Sequence, residues 1–301
     1  MINFWDWSLE RAGNYPELLA QVVERVKPER DKLNRKERRD RWWQFAEKTP
    51  ALYHAIGRGR SFEKHPSDFE YPKERVKFIA GSKTSKYFTF TIFNKDMVFD
   101  QTINIFSFSD TCYFSLLSST LHEEWARQMS SGLGGTMQYS PSNCFINFTF
   151  PEILPANPAL CDFSHPLVQK LETLGEEYHE LRSAMMQEHT IGLTKLYNAF
   201  HNPKETREDF KTLRELHKDI DEAVKVAYGW HDLDLAHDFY EVPYLPANDR
   251  VRYTIAEKAR LEILRRLYKL NTERYEAEVK AGLWSKKTTK PKAKREQGGL
   301  F

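Results

Sequence analysis

The chain changes character within the stretch Tyr139-Ser140-Pro141-Ser142-Asn143-Cys144-Phe145-Ile146-Asn147-Phe148-Thr149-Phe150-Pro151-Glu152. A polar turn opens this stretch, aromatic residues then alternate with other side chains, and a proline ends the run. Alternation with a period of two predicts a loop that leads into a short buried strand. The residues before this stretch have the composition of strands, whereas the residues after it have the periodicity of helices.

Short aromatic and β-branched segments precede this stretch and predict strands at 76–80, 87–92, 97–99 and 103–108. Asn94-Lys95-Asp96 predicts a hairpin turn between two of them. Asp110 is a candidate N-cap for a helix whose apolar face would hold Tyr113, Leu116, Leu117, Leu121 and Trp125. The glycine-rich residues 130–136 lack the GK[ST] ending of a phosphate-binding loop. These features together predict a small mixed α/β domain.

Helical periodicity dominates the second half of the chain, after a linker marked by prolines at positions 151, 155, 158 and 166. Apolar residues recur in steps of three and four within 167–185, 210–227 and 256–270. Three such stripes predict an antiparallel α-helical bundle. His217 lies on the second stripe, so we interpret it as a core histidine. The predicted fold class is therefore α+β, with a mixed α/β domain followed by the bundle.

The predicted organisation has four parts. Residues 1–60 are a helical connector with a helix over 16–26 that Pro28 ends, and residues 61–152 are the mixed α/β domain. Residues 153–284 are the helical bundle, and residues 285–301 are a basic tail that we expect to be disordered.

The net charge of the 301-residue chain is only +2, so a surface that binds a polyanion requires an uneven distribution of charge. One basic run, between Lys27 and Arg41, includes Arg35, Arg38 and Arg39. These arginines suit a nucleic-acid backbone, but a solvated helix face has the same composition. Both interpretations stay open. For the basic tail, a solubilising role is the simpler interpretation.

The three cysteines have no CxxC spacing and no paired histidines nearby, which predicts neither a disulfide framework nor a metal site. The N-terminus lacks the basic start and apolar run of a signal peptide. No stretch approaches the roughly 20 apolar residues that a membrane span needs. These observations predict a soluble cytoplasmic protein without membrane association.

No catalytic motif is recognisable. The sequence has no GxSxG, no paired-histidine metal motif, no FxGxG nucleotide loop and no [DN]PP[YF] tetrapeptide, which in amino-methyltransferases grips a flipped base. Asn157-Pro158-Ala159 lacks the second proline and the aromatic residue, so it is interpreted as a turn. Glu123-Glu124, which follow His122 on one predicted helix, are interpreted as a solvated helix face. We therefore predict a binding or assembly module with no catalytic residues of its own.

Two short segments carry side chains suited to DNA. Residues 81–87 place Lys83, Ser85 and Lys86 in one turn, where hydroxyl and ammonium groups suit phosphate oxygens. An ordinary polar hairpin is an equally good interpretation. Residues 136–138 are Thr136, Met137 and Gln138. A glutamine can pair with adenine in the major groove, and threonine or methionine can touch a thymine methyl group.

Several blocks of sequence, in the same order, resemble the C-terminal part of Type IIG/IIL-like restriction–modification enzymes and of related BREX/DISARM-like phage-defence methyltransferases. Residues 26–35 and 41–45 look like the junction that follows their methyltransferase core, and residues 85–87, 118–126 and 139–151 look like their target recognition domain. Residues 193–201, 213–223 and 227–230 are similar to their C-terminal helices. The resemblance covers nearly the whole chain.

This resemblance implies sequence-specific recognition of double-stranded DNA for an adenine methyltransferase that uses S-adenosylmethionine. It assigns base reading to the loop before the Tyr-Ser-Pro turn, with Thr136, Met137, Gln138 and Ser140 as candidates, although relatives often carry charged residues there. The catalytic domain of the family is missing. We therefore expect a separate methyltransferase subunit to supply the chemistry and the cofactor, or the chain to be a fragment. The alternative is a non-catalytic assembly or inhibitory protein that binds a methyltransferase subunit.

Overall fold

The structure is a computed structural model, and it describes residues 2–4, 7–45, 49, 52, 55, 77–94, 97, 99–133 and 136–284. Several predictions lie outside them, namely the first part of the mixed domain, the turn at Lys95 and Asp96, two glycines of the glycine-rich loop and the basic tail. Within the described part, no helix combines the length and the apolar character that crossing a membrane requires.

The N-terminal helices pack around a small core of their own. They are α1 (Leu9–Gly13), α2 (Pro16–Arg25), α3 (Lys27–Asp31) and α4 (Lys36–Asp40), and the core is formed by Phe4, Ala12 and Val22. Trp43 closes this unit, since its Nε1 donates a hydrogen bond to the carbonyl of Trp7 at 2.8 Å. The helix predicted over 16–26 is confirmed. Pro28 does not end the helical region, because it occupies the first turn of α3, where its missing N–H costs no hydrogen bond.

Two small antiparallel sheets follow. The first has the order β3 (Phe90–Asn94), β1 (Lys77–Ser82), β4 (Ile103–Phe106), with Ile79 opposite both Ile92 and Phe106. The second has the order β2 (Thr84–Ser85), β6 (Thr136–Gln138), β5 (Ser131–Leu133). The strands predicted near 76–80, 87–92 and 103–108 are confirmed, with shifted ends. Of the strand predicted at 97–99, the described residues Met97 and Phe99 have no strand conformation.

The helix predicted after Asp110 is divided in two. Helices α5 (Thr111–Ser118) and α6 (Thr120–Met129) meet at Ser119, whose ψ of 152° is extended rather than helical. Ser119 begins the second helix, because its Oγ accepts the N–H of His122 at 3.3 Å. The predicted apolar face is buried in full, which explains why the two short helices act as one packing surface.

The prediction of a strand within residues 139–151 is wrong. Residues Pro141–Phe145 form a single π-helical turn, which we call the π-turn, and an irregular segment continues to Pro151. Ile146 is 65% exposed, so burial does not alternate along the segment. The carbonyls of residues 146–149 accept hydrogen bonds from side chains farther along the chain, as detailed below, and not from a neighbouring strand. The aromatic residues of this segment therefore indicate that it is buried in part, but they do not indicate an extended backbone.

The helical region contains α7 (Pro166–Glu188), α8 (Leu193–Phe200), α9 (Glu208–Ala227) and α10 (Glu257–Lys280). Helices α7 and α9 are antiparallel, since Tyr178 contacts His217 and His189 contacts Asp209. A hairpin that the sequence did not predict, β7 (Asp238–Glu241) paired with β8 (Val251–Thr254), separates α9 from α10. Helix α10 packs against α6, where the rings of Trp125 and Tyr268 lie 5.2 Å apart.

One hydrophobic core joins the mixed region to the helical region across the predicted boundary at residue 152. Helix α5 packs closely on α7, where Ser115 Oγ donates to the carbonyl of Leu171 at 2.6 Å. Gly175 permits this approach, because a Cβ at that position would lie 2.5 Å from Ser115 Oγ. The guanidinium of Arg182, which is 1% exposed, donates to the carbonyl of Phe90 in strand β3. The two predicted domains therefore share packing and buried hydrogen bonds.

Candidate nucleic-acid interface

The second sheet brings together two of the segments predicted to contact DNA. Strands β2 and β6 are antiparallel neighbours, with Thr84 opposite Gln138 and Ser85 opposite Met137. The pairing continues beyond the strands, because the N–H of Tyr139 donates to the carbonyl of Lys83 at 2.8 Å. The segment predicted as one turn is instead the end of β1 and the short strand β2, with Lys83 between them, and it lies beside the strand that carries the candidate base-reading residues.

Strand β6 presents its residues to alternate faces of this sheet, as strand geometry requires. Thr136 and Gln138 are exposed, whereas Met137 is only 8% exposed. Arg127 of α6 covers Met137, with its Nη1 at 2.8 Å from the sulfur. The structure thus leaves Thr136 and Gln138 accessible to a ligand and gives Met137 a packing contact beneath them.

The two lysines of the turn have different surroundings. Lys83 is exposed, and within the described residues its ammonium forms no ion pair. Lys86 lies 2.9 Å from a carboxylate oxygen of Asp249 and donates to Asn198 Oδ1 at 2.8 Å. Partial burial lowers the pKa of Lys86, but the hydrogen bonds to Asp249 and Tyr87 outweigh it, so the pKa lies above its ordinary value. Among the described residues, a phosphate at Lys83 displaces no ion-pair partner, whereas a phosphate at Lys86 competes with Asp249.

The candidate serines form local hydrogen bonds. Ser85 Oγ donates to the carbonyl of Tyr87 at 2.6 Å, and Ser140 Oγ lies 2.8 Å from Ser142 Oγ. Ser142 and Asn143 of the π-turn are exposed and come directly after the candidate strand. The accessible polar surface thus extends from Gln138 into the π-turn.

Arg35, Arg38 and Arg39 belong to a different part of the molecule. They lie at or within helix α4, in the unit built on the N-terminal core. The guanidinium of Arg39 donates to the carbonyl of Leu33, a contact within that unit. The structure therefore does not place these arginines in the sheet that holds Lys83 and Gln138. Their role on the DNA backbone stays a prediction.

Buried polar contacts hold the end of strand β6. Nδ1 of His122 lies 2.8 Å from the carbonyl of Leu117, so this nitrogen carries the proton, and Nε2 accepts from the hydroxyl of Tyr139 at 3.1 Å. Burial lowers the pKa of His122 to about 4, which keeps the ring neutral. Asn104 donates to the carbonyl of Tyr139 at 2.9 Å. Tyr139 is thus held by both its side chain and its backbone.

Glu124 is not on a solvated helix face, contrary to the prediction. It is 4% exposed, and the hydroxyl of Tyr244 donates to its carboxylate at 3.2 Å. Burial and the neighbouring Glu123 raise the pKa of Glu124 to about 7 against the opposing charges of Arg127 and Arg260. The prediction of a solvated face failed because α10 and the loop between β7 and β8 cover the side of helix α6 that carries Glu124.

A second buried cluster surrounds Asp221 of helix α9. Its carboxylate accepts the N–H of Thr120 at 2.7 Å and lies 2.8 Å from Nε2 of His237. Thr120 Oγ1 lies 3.0 Å from Nε2 of His217, which is buried as predicted. Although burial raises the pKa of Asp221, His217 and His237 lower it below its ordinary value, so the carboxylate is ionised. The cluster joins the start of α6 to α9.

These clusters hold elements together, and their composition does not define a reaction. Among the described residues, no group of three or more His, Cys, Asp and Glu side chains is placed to hold a metal ion. Glu124, Asp221, His237 and Arg182 were not predicted to be buried polar residues. Two of them had a signal: Arg182 falls four residues after Tyr178 on the apolar stripe of α7, and Asp221 falls four residues after His217 on that of α9.

Comparison with known proteins identifies the first half of the chain. Residues 4–152 match the family model of the MmeI target recognition domain. This part of the chain belongs to that family, and the expected resemblance to Type IIL restriction–modification enzymes is confirmed. No curated protein matches the sequence.

Among solved structures, the chain matches the Type IIL restriction–modification enzyme MmeI in complex with DNA, with 18% sequence identity and a TM-score of 0.48. The match covers 85% of this chain but only 27% of the MmeI chain. The present chain thus spans about a quarter of that enzyme.

Proposed function

We propose that the chain is the sequence-specific DNA target recognition part of an S-adenosylmethionine-dependent adenine methyltransferase from a restriction–modification or phage-defence system. It acts on double-stranded DNA in the cytoplasm. A separate subunit or a further domain supplies catalysis and holds the cofactor, as the resemblance of the sequence to the C-terminal part of these enzymes implies.

The observation that carries this proposal is the pairing of strands β2 and β6 inside the part that belongs to the recognition-domain family. It sets the strand that carries the exposed Gln138 and Thr136 beside the backbone of Lys83, an exposed residue whose ammonium forms no ion pair with the described residues. An amide or hydroxyl group can read a base edge, while an ammonium group fixes the protein on the phosphates. Strand β6 and the segment that pairs with it thus carry both kinds of side chain within one small sheet.

Selection of the purified chain from random-sequence duplexes, with washes at two salt concentrations, tests this function. We expect an enriched motif that survives the higher salt, since base contacts do not release counterions as phosphate contacts do. Gln138→Ala and Thr136→Ala should change the motif, and Gln169→Ala, an exposed change on α7, should not. Binding that is lost at higher salt without any motif, in the presence and absence of a methyltransferase subunit, would refute the proposal.

A second candidate function is assembly or inhibition of a methyltransferase. The observation that favours it is the pairing of Lys86 with Asp249, which removes one of the two turn lysines from contact with DNA. This alternative predicts stable binding to a methyltransferase subunit and no change in the DNA motif of that subunit. Sequencing the duplexes retained by the complex, with and without the chain, separates the two functions.

A further inference from the structure

Side chains of the helical region hold the backbone that follows the π-turn. Arg274 donates from Nη2 to the carbonyl of Ile146 at 3.1 Å and from Nη1 to the carbonyl of Phe148 at 3.0 Å. Asn271 donates to the carbonyl of Asn147 at 2.6 Å. The hydroxyl of Tyr228 donates to the carbonyl of Thr149 at 2.7 Å. Four successive carbonyls thus receive hydrogen bonds from residues more than seventy positions away.

These contacts replace the partners that a regular element would have supplied. The carbonyls of an irregular segment need donors, and a buried carbonyl without one costs free energy. Arg274 is well suited to this role because its planar guanidinium offers two parallel donors to two carbonyls on the same chain. Glu278 lies 3.6 Å from Nε of Arg274 and balances its charge.

The other end of the same segment is held from the opposite side. Tyr139, directly after strand β6, is fixed by Lys83, Asn104 and His122, as described above. Between the two fixed ends, the exposed side chains of the segment are Pro141, Ser142, Asn143, Ile146 and Asn147. Their position relative to Gln138 therefore depends on the buried Cys144 and Phe148 and on the contacts made by α10.

We propose that Arg274 and Asn271 are positioning residues for DNA recognition: they hold the segment 141–149 beside strand β6, so that α10 contributes to sequence discrimination without contacting bases. This inference rests on the proposed function. The helical region then affects sequence specificity because its side chains hold the carbonyls of segment 141–149 in place. Release of these carbonyls lets the π-turn move relative to Gln138, which weakens the contacts that depend on precise placement more than the phosphate contacts.

The test compares Arg274→Met with Arg265→Met, which removes the same charge from an exposed position of the same helix. For each protein, affinity is measured for the duplex selected by the wild type and for a scrambled duplex, at two salt concentrations, together with the melting temperature. We expect the ratio of the two affinities to fall about tenfold in Arg274→Met, a change of about 1.4 kcal/mol. The salt dependence should stay unchanged, and Arg265→Met should keep the wild-type ratio.

Two further variants make the outcome specific. Arg274→Lys retains a donor and should recover part of the ratio, whereas a purely electrostatic role predicts full recovery and overturns the inference. Asn271→Ala removes a single hydrogen bond, and it replaces Arg274→Met as the test variant if Arg274→Met does not fold. Amide hydrogen exchange should be faster at residues 142–150 in each variant that loses discrimination.

The remaining outcomes separate this inference from the proposed function. A wild-type preference that Arg274→Met and Asn271→Ala both retain overturns the positioning role alone. If Arg274→Met loses equal affinity for both duplexes and its binding depends less on salt, Arg274 contacts phosphate. This result also overturns the positioning role. No sequence preference in the wild type overturns the proposed function and this inference together.

Discussion

The hydroxyl of Tyr139 lies 3.1 Å from Nε2 of His122, and this contact joins the end of strand β6 to helix α6. Because the opposite ring nitrogen donates to Leu117, the histidine can only accept at Nε2. The candidate recognition strand is thus attached to the core by a neutral, fully buried pair.

Tyr139→Phe should destabilise the fold by about 1–2 kcal/mol, because it leaves the buried Nε2 of His122 without a donor. Urea unfolding monitored by circular dichroism measures this change. Tyr275→Phe, at a residue that is 51% exposed, is the matched control and should leave the free energy of unfolding unchanged. Equal stability of the two variants would mean that the hydroxyl of Tyr139 contributes nothing to the fold.

Glu124 should make stability depend on pH. Its pKa is about 7 in the fold and near 4.5 in the unfolded chain, so the folded state binds more protons between these values. The contribution of Glu124 is therefore complete below pH 4.5 and is lost as the pH rises through 7. Across this window, the stability of the wild type relative to Glu124→Gln should fall by about 3 kcal/mol.

Urea unfolding of both proteins at a series of pH values measures this difference. His122, with a pKa near 4, acts in the opposite direction, because the unfolded state binds the extra proton. That effect is common to both proteins and cancels in the comparison. A difference in stability that does not change with pH would show that Glu124 titrates at its ordinary value.

Gly175→Ala should destabilise the packing of α5 on α7 by about 1–3 kcal/mol, since the added Cβ meets the carbonyl of Thr111 and Ser115 Oγ. Gly13→Ala is the control, because a Cβ placed there meets no atom within 4 Å apart from its chain neighbours and the backbone of its own helix. It should stabilise helix α1 by about 0.5–1 kcal/mol. A Gly175→Ala protein that unfolds in two separate transitions would indicate that the mixed and helical regions fold independently once this contact is weakened.

Lys83→Ala and Lys86→Ala should have different effects on DNA binding. Loss of Lys83 should weaken binding to all duplexes alike and reduce the slope of log affinity against log salt by about 1. Loss of Lys86 should leave that slope unchanged and lower the melting temperature, because Asp249 and Asn198 lose their contacts. Identical salt slopes for wild type and Lys83→Ala would remove Lys83 from the interface.

Local patterns predicted much of the fold. The helices around residues 16–26, 167–185 and 210–227 were found at nearly the predicted positions because their apolar spacing matches the helical repeat. The strands near 76–80 and 103–108 also follow their β-branched and aromatic composition. The segment 141–150 was misassigned, because donors from Arg274, Asn271 and Tyr228 satisfy its carbonyls without a neighbouring strand.

The candidate site, like the fold, was predicted from the sequence only in part. Composition alone selected Lys83, Thr136 and Gln138 as polar side chains suited to DNA. Only the sheet register established that Lys83 lies beside β6, and only burial distinguished Gln138 from its neighbour Met137.

The sequence by itself determined the α+β class, the positions of the main helices and the resemblance to target recognition domains, because each depends on periodicity or motifs within a short stretch. Tertiary structure alone decided that Glu124 and Asp221 are buried, that Lys86 is paired with Asp249, and that α10 holds the π-turn segment. Those features depend on partners distant in the sequence. The physical reason is that a charged or amide side chain has the same local signature whether it faces water or a buried carbonyl, and only its folded surroundings supply the difference in free energy.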